Sequence, residues 1–390
     1  MLTIDPPEHD QTEPVRREQA PAPRPAPVEV PAGERRFGRL VIVVVLVAVV
    51  AAAVGVGIGR ALPRPAGTAG QRRASAPPAA PSYDPGMVVD PSLTELSDPF
   101  VLQGNGVDYL YSSSSGYSPP NIPVRSFTDL RHLGPAMDAM PTLPPWTTGW
   151  TWAPDVRRVG GHYVMWFTAP DTGDILPTGA PAKCIGVAVA DGPTGPFLPG
   201  AQPVLCGPWG SIDPRTFVDA HGRLWLYWKS DDNADTNATI PTTIWAQRLA
   251  ANGITLVGPR HAVLSATEQW ENGLIEAPDM VRVGSRYYLF FSANPSFKAY
   301  NGIGVATCRG PVGPCQVVGD GPLFGTSVLG QGPGEEWVWN DHGTEWLLFS
   351  PSGTGFVRRM AVARLGFDRH GPYLATFDGR SPGLTSPRRH

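Results

Sequence analysis

The chain has 390 residues, a formal net charge of −3, and 45 glycines and 45 prolines. A nearly neutral balance offers no basic footprint for nucleic acid. The length accommodates one large domain with flanking segments, and helical periodicity is sustained nowhere outside one apolar run.

Residues 1–39 are rich in Pro, Arg and Glu and nearly free of aromatic side chains. Such a segment cannot bury enough apolar surface to offset its ordering entropy and is expected to be a disordered tail. From Leu40 to Gly59 every residue is uncharged and most are aliphatic, with Arg39 and Arg60 at the two ends. About 20 such residues cross a hydrocarbon core of ~30 Å as one helix. A cleavable signal peptide ending near Ala51 to Ala53 is the alternative; the long charged segment ahead of the run favours an uncleaved anchor.

Orientation is not decided by the flanking cations, because Arg24, Arg35, Arg36 and Arg39 are matched by Arg60, Arg64, Arg72 and Arg73. The cysteines bear on it. Cys184, Cys206, Cys308 and Cys315 form two local couples, which suits two short-loop disulfides in an oxidising compartment, with four free thiols as the alternative. The expected arrangement is therefore single-pass, with residues 1–39 cytoplasmic, 40–59 in the membrane, 60–90 a Pro/Ala-rich tether, and an extracytoplasmic domain over 91–370 followed by a tail over 371–390.

Within that domain five aromatic strand cores recur at intervals of about 60 residues, ending at Ser112, Thr168, Lys229, Ser292 and Ser350. Each follows a tight turn and an earlier apolar strand; several precede another strand, such as IGVAVA or IGVATC. Strand, turn, aromatic strand, loop, strand, repeated five times, predicts an all-β, five-bladed β-propeller.

In a propeller the first strands of the blades converge on one axis. The residues ahead of each aromatic strand include Asp98, Asp155, Asp213, Glu276, Asp279, Glu335 and Glu336. Asp155 and Asp279 occur in identical Ala-Pro-Asp turns at the same offset, so they are equivalent and are assigned to turn or capping roles. By that alignment Glu276 corresponds to Trp152. The repeat does not call for an acid there, which makes Glu276 the harder one to explain structurally.

The order Ser97-Asp98-Pro99-Phe100, Trp152-Ala153-Pro154-Asp155, Ser211-Ile212-Asp213-Pro214-Arg215 and Ile275-Glu276-Ala277-Pro278 resembles glycoside hydrolase family 43. That family contains arabinanases, α-arabinofuranosidases and β-xylosidases on a five-bladed propeller. The resemblance implies Asp98 as general base, Glu276 as general acid and Asp213 as the group that raises the acid's pKa and holds it. Inverting hydrolysis needs a protonated acid on the leaving oxygen and an ionised carboxylate activating water from the opposite face. The resemblance also implies a fifth-blade His, linked in some members to a bound ion; this chain has Gln331 where that His is sought.

No cofactor is expected for the chemistry, no metal ligand is assigned, and structural calcium finds no supporting residue cluster. For binding, Trp152, Trp150 and Trp209 are expected to stack on sugars, with Arg215 and Arg359 as hydrogen-bond donors to sugar hydroxyls or partners of the acids; packing between blades is the alternative for each tryptophan, and for Trp146 and Trp270 as well, and a surface or structural role is the alternative for each arginine. The expected function is a membrane-anchored, monomeric glycosidase cleaving arabinofuranosyl or xylosyl linkages in a carbohydrate polymer. The alternatives are fructosyl transfer on a related propeller, or a non-catalytic propeller that binds glycan or a partner protein.

Overall fold

The computed structural model describes residues 86–375 except 91, 94, 95, 115, 237–239 and 353–357. The expected N-terminal tail and membrane span, and the tether up to residue 85, lie outside the described residues. Among the described residues, no helix is long and apolar enough to cross a membrane.

Five antiparallel sheets make five blades. Blade I is β2 (Phe100–Leu102), β3 (Asp108–Tyr111), β4 (Pro123–Phe127) and β5 (Met137–Asp138). Blade II is β6 (Trp152–Val159), β7 (His162–Ile175), β8 (Pro181–Ala190) and β9 (Leu198–Pro199). Blade III is β10 (Ser211–Val218), β11 (Leu224–Ser230), β12 (Thr243–Leu249) and β13 (Leu256–Ser265). Blade IV is β14 (Ile275–Val283), β15 (Arg286–Ala293), β16 (Gly302–Cys308) and β17 (Cys315–Val317).

Blade V closes the ring. Its strands β18 (Gln331–Asp341), β19 (Thr344–Ser352) and β20 (Met360–Asp368) are completed from the other end of the domain by β1 (Gly86–Val89), which pairs with β20 from Gly86↔Ala363 to Val89↔Met360. The strand β21 (Gly371–Leu374) continues along the same edge of β20. The repeat alone places both added strands outside the propeller, in the tether and the tail. Backbone pairing draws them in.

The aromatic strands are the second strands of the blades, and their composition follows from burial on both faces. In β7, Met165 and Phe167 enter a core shared with blade I, whereas Val164 and Trp166 enter one shared with blade III. Five such clusters lie between neighbouring blades around the ring. Continuous apolar sequence is what a strand buried on both faces requires.

The repeated Ile-Gly-Val-Ala of the third strands has an equally local cause. A Cβ on Gly186 would meet Phe167 and Trp146 at 2.7 Å, and one on Gly304 would meet Phe291 at 2.5 Å and Trp270 at 2.8 Å. Each glycine admits a stacked Trp–Phe pair, Trp146 on Phe167 and Trp270 on Phe291. These two tryptophans are therefore packing residues. Cys184–Cys206 and Cys308–Cys315 are both disulfides, as the spacing suggests, and among the described residues no cysteine is free.

Candidate active site

Each blade has one non-glycine residue in left-handed backbone in its inner strand or, in blade I, two residues ahead of it: Asp98, Ala153, Asp213, Ala277 and Glu335, with φ of 51°, 48°, 57°, 51° and 55°. In blades II to V the register with the second strand shifts across or beside this residue, between Trp152 and Asp155 for example, which marks a bulge. In four blades a hydroxyl of the preceding blade secures the strained residue by accepting its N–H. Ser350 Oγ accepts from Asp98 at 3.1 Å, Ser113 Oγ from Ala153 at 2.8 Å, Thr168 Oγ1 from Asp213 at 3.1 Å, and Ser292 Oγ from Glu335 at 2.7 Å.

These five positions form an upper tier around the axis. Three of them are acids, and Glu276 sits one residue earlier in its blade, opposite Ser292, as Trp152 sits opposite Thr168. The correspondence of Glu276 with Trp152 thus holds in three dimensions. Asp98, Asp213, Glu276 and Glu335 retain exposures of 6, 8, 7 and 5%, so the four carboxylates are largely, though not completely, withdrawn from water.

Their fields overlap. Burial, followed by the charge of Glu276, pushes the Asp213 carboxyl up to about 7, with Asp98 adding to the effect and Lys229 opposing it. Glu335 is held well above the usual carboxylate range by burial and then by Asp98, Glu276 and Asp213. Desolvation and like charges disfavour the ionised form of each. Asp213 also accepts the Ala277 N–H through Oδ2 at 3.0 Å, which ties it to the residue beside Glu276.

Two cations reach this tier. Arg358 approaches Asp98 Oδ1 at 3.5 Å and Glu335 Oε1 at 3.7 Å; burial works against its charge, but Asp98 and Glu335 outweigh that and raise its pKa. Lys229, 1% exposed, donates to Asp231 Oδ1 at 2.9 Å and Glu276 Oε2 at 3.4 Å.

A lower tier follows two residues along each inner strand: Phe100, Asp155, Arg215, Asp279 and Trp337, which face Tyr111, Trp166, Tyr227, Phe290 and Leu348. The Arg215 guanidinium reaches the rings opposite, 5.6 Å from the centroid of Phe100 and 5.1 Å from that of Trp337. It also acts electrostatically on Asp155 and Asp279, the acids of the blades on either side. Arg215 thus plugs the channel beneath the carboxylates. It is buried and does not reach the rim, where sequence reasoning assigns it to sugar binding.

Asp155 and Asp279 are not turn residues, because both lie inside inner strands. Asp155 accepts from Thr216 Oγ1 at 2.5 Å and Asp279 from the Val338 N–H at 2.8 Å, so each bonds to the inner strand of the next blade. Their expected equivalence is real; the role is to connect blades.

The remaining expected binding residues divide. Trp152 is part-exposed at the mouth, and Trp150 meets it edge-on at 6.0 Å; Tyr117, 70% exposed, meets Trp150 in turn at 5.7 Å. Trp209 packs partly buried against the core between blades I and II. Arg359 faces solvent, and the guanidinium that reaches the acids belongs to its neighbour Arg358. Gln331 is exposed, and the fifth blade's upper-tier side chain is Glu335. A single residue of register separates the expected and observed residue in the arginine pair, and a bulged strand separates them in the other.

Among the described residues, the one group of ligand-type atoms close enough together for a metal is Asp171 with Cys184 and Cys206. Both cysteines are consumed in a disulfide.

A ring of buried carboxylates above a plugged propeller channel defines a carbohydrate-hydrolase type of site, and the comparisons agree. The chain belongs to the glycosyl hydrolases family 43, whose family model matches residues 92–373. It is 41% identical over 83 residues to Xylosidase/arabinosidase 43A of Humicola insolens, a match spanning 21% of this chain and 23% of that protein. A Xylosidase/arabinosidase of Bacteroides ovatus is 27% identical over an alignment of 273 residues, covering 60% of this chain and 76% of the relative. Among solved structures, a thermostable family-43 glycoside hydrolase superposes with a TM-score of 0.64 at 22% identity, over 74% of this chain and 96% of the other. This likeness is one of fold.

Proposed function

We propose that the chain is an inverting glycosidase that cleaves arabinofuranosyl or xylosyl linkages in a polysaccharide. Asp98 acts as general base, Glu276 as general acid, and Asp213 as the group that keeps a proton on the acid. The observation that carries this reading is the convergence of Asp98, Asp213 and Glu276 from three blades into one electrostatically coupled, nearly buried cluster. The family membership and the two xylosidase/arabinosidase relatives support the substrate class.

The chemistry follows from the charges. Ionised Asp98, steadied by Arg358, takes a proton from water as the water attacks the anomeric carbon. Glu276 delivers its proton to the departing glycosidic oxygen from the other side of the sugar. Burial and the neighbouring Glu276 charge favour a proton on Asp213, which lies within electrostatic reach of the acid. Trp150, Trp152 and Tyr117 offer ring faces and edges along one wall of the mouth, the surface a sugar ring stacks on.

The membrane anchor belongs to the same proposal. A helix over residues 40–59 tethers an extracytoplasmic catalytic domain, and the two disulfides fit an oxidising compartment.

The test is hydrolysis of aryl arabinofuranosides and xylosides by the full-length protein beside Glu276→Gln and Asp98→Asn. Equal rates in all three proteins overturn the hydrolase assignment. Proton NMR of the first-formed sugar checks the stereochemistry, and a retained anomer overturns inversion.

A further inference from the structure

Blade III breaks the rule that the other four blades obey. The hydroxyls of Ser113, Thr168, Ser292 and Ser350 each accept the N–H of the next blade's left-handed residue. At the same register in blade III, opposite Ile212, stands Lys229. An ammonium accepts no hydrogen bond. The orphaned Ala277 N–H goes instead to Asp213 Oδ2, so exchanging a hydroxyl for an ammonium draws Asp213 to the side of Glu276.

A charge buried to 1% exposure where a serine fits costs desolvation, and such a charge persists only when fully partnered. Lys229 Nζ has Asp231 at 2.9 Å, and the other oxygen of Asp231 has Lys183 at 2.9 Å. The chain Lys183–Asp231–Lys229 therefore carries one net positive charge, and it ends on Glu276 Oε2 at 3.4 Å. The charged groups facing this point from the other blades are Asp213, Asp98, Glu335 and Arg358.

We propose that Lys229 is the positioning residue of the acid: its buried ammonium holds the Glu276 carboxyl in place beside Asp213 and supplies the counter-charge in contact with it. This rests on Glu276 being the proton donor. Arg358 is engaged by Asp98 and Glu335, whereas the Lys229 ammonium is the cation in contact with Glu276, so it offsets the charge of an ionised carboxylate in the pair.

The test is kcat/KM against pH for the full-length wild type, Lys229→Met, Lys229→Arg and, as reference, Glu276→Gln, on aryl arabinofuranosides and xylosides. Removing the cation disfavours the doubly ionised pair, so the basic limb of Lys229→Met moves up by about one pH unit, and Lys229→Arg returns it toward wild type. A lower rate with an unmoved basic limb overturns the proposal, since loss of packing alone changes rate and not the limb. Lys183 still partners Asp231 in Lys229→Met; if that variant does not fold, Lys229→Gln removes the charge while keeping a donor for Asp231 and is read the same way. The two readings fail separately. A Glu276→Gln rate equal to wild type removes the hydrolase reading itself, whereas a slow Glu276→Gln with an unmoved Lys229→Met limb removes only the role of Lys229.

Discussion

The two tiers of the channel use similar residues in opposite ways. In the lower tier the carboxylates of Asp155 and Asp279 are bonded to the next blade, and Arg215 lies between them. In the upper tier the backbone N–H groups of Asp98, Asp213 and Glu335 are bonded to the preceding blade; the carboxylates of Asp98 and Glu335 make no bond to the next inner strand and face Arg358, while Asp213 gives one oxygen to the Ala277 N–H. An acid whose side chain is consumed by the architecture holds blades together. An acid held by its backbone is available for chemistry.

This contrast can be broken most strongly at the upper tier. Glu276→Gln and Asp98→Asn are each expected to lower kcat by about 10²–10⁴-fold on substrates with poor leaving groups, with melting temperature held, as steady-state assay and calorimetry would check. Loss of folding without selective loss of rate would erase the distinction between tiers.

Arg215→Ala acts on the lower tier and reverses the pattern. It opens the space between Phe100 and Trp337 and leaves Asp155 and Asp279 without their cation, at a cost of about 3–5 kcal/mol in urea unfolding. Gly186→Val forces a side chain against Phe167 and Trp146 and is expected to cost roughly 1–3 kcal/mol, read by thermal melting.

A pH dependence of stability is expected as well. Burial raises Asp279 to about 7 and Glu336 to about 8, both from below 5 in unfolded chain. The folded state binds the extra protons, so their contribution is fully present below the unfolded values and is lost as pH rises through about 7 to 8. The urea midpoint should be higher at pH 5 than at pH 8.5, and Asp279→Asn should flatten the difference. A midpoint that rises over the same range contradicts the protonated lower tier.

Sequence by itself determined the blade number and the pairing of Asp155 with Asp279 and of Glu276 with Trp152, and it suggested the two cysteine couples that the structure shows as disulfides. Strand periodicity and burial on both faces print a five-fold aromatic pattern into the chain, and equal offsets within that pattern identify equivalent residues. Tertiary structure alone decided that Arg358 and not Arg359 reaches the acids, that Ser113 Oγ accepts the Ala153 N–H, and that Arg215 lies inside the channel. On the inner strands the physical reason is the bulge. One extra residue in left-handed backbone exchanges the faces of everything beyond it, and Asp, Ala and Glu at that position carry no glycine signature to announce it.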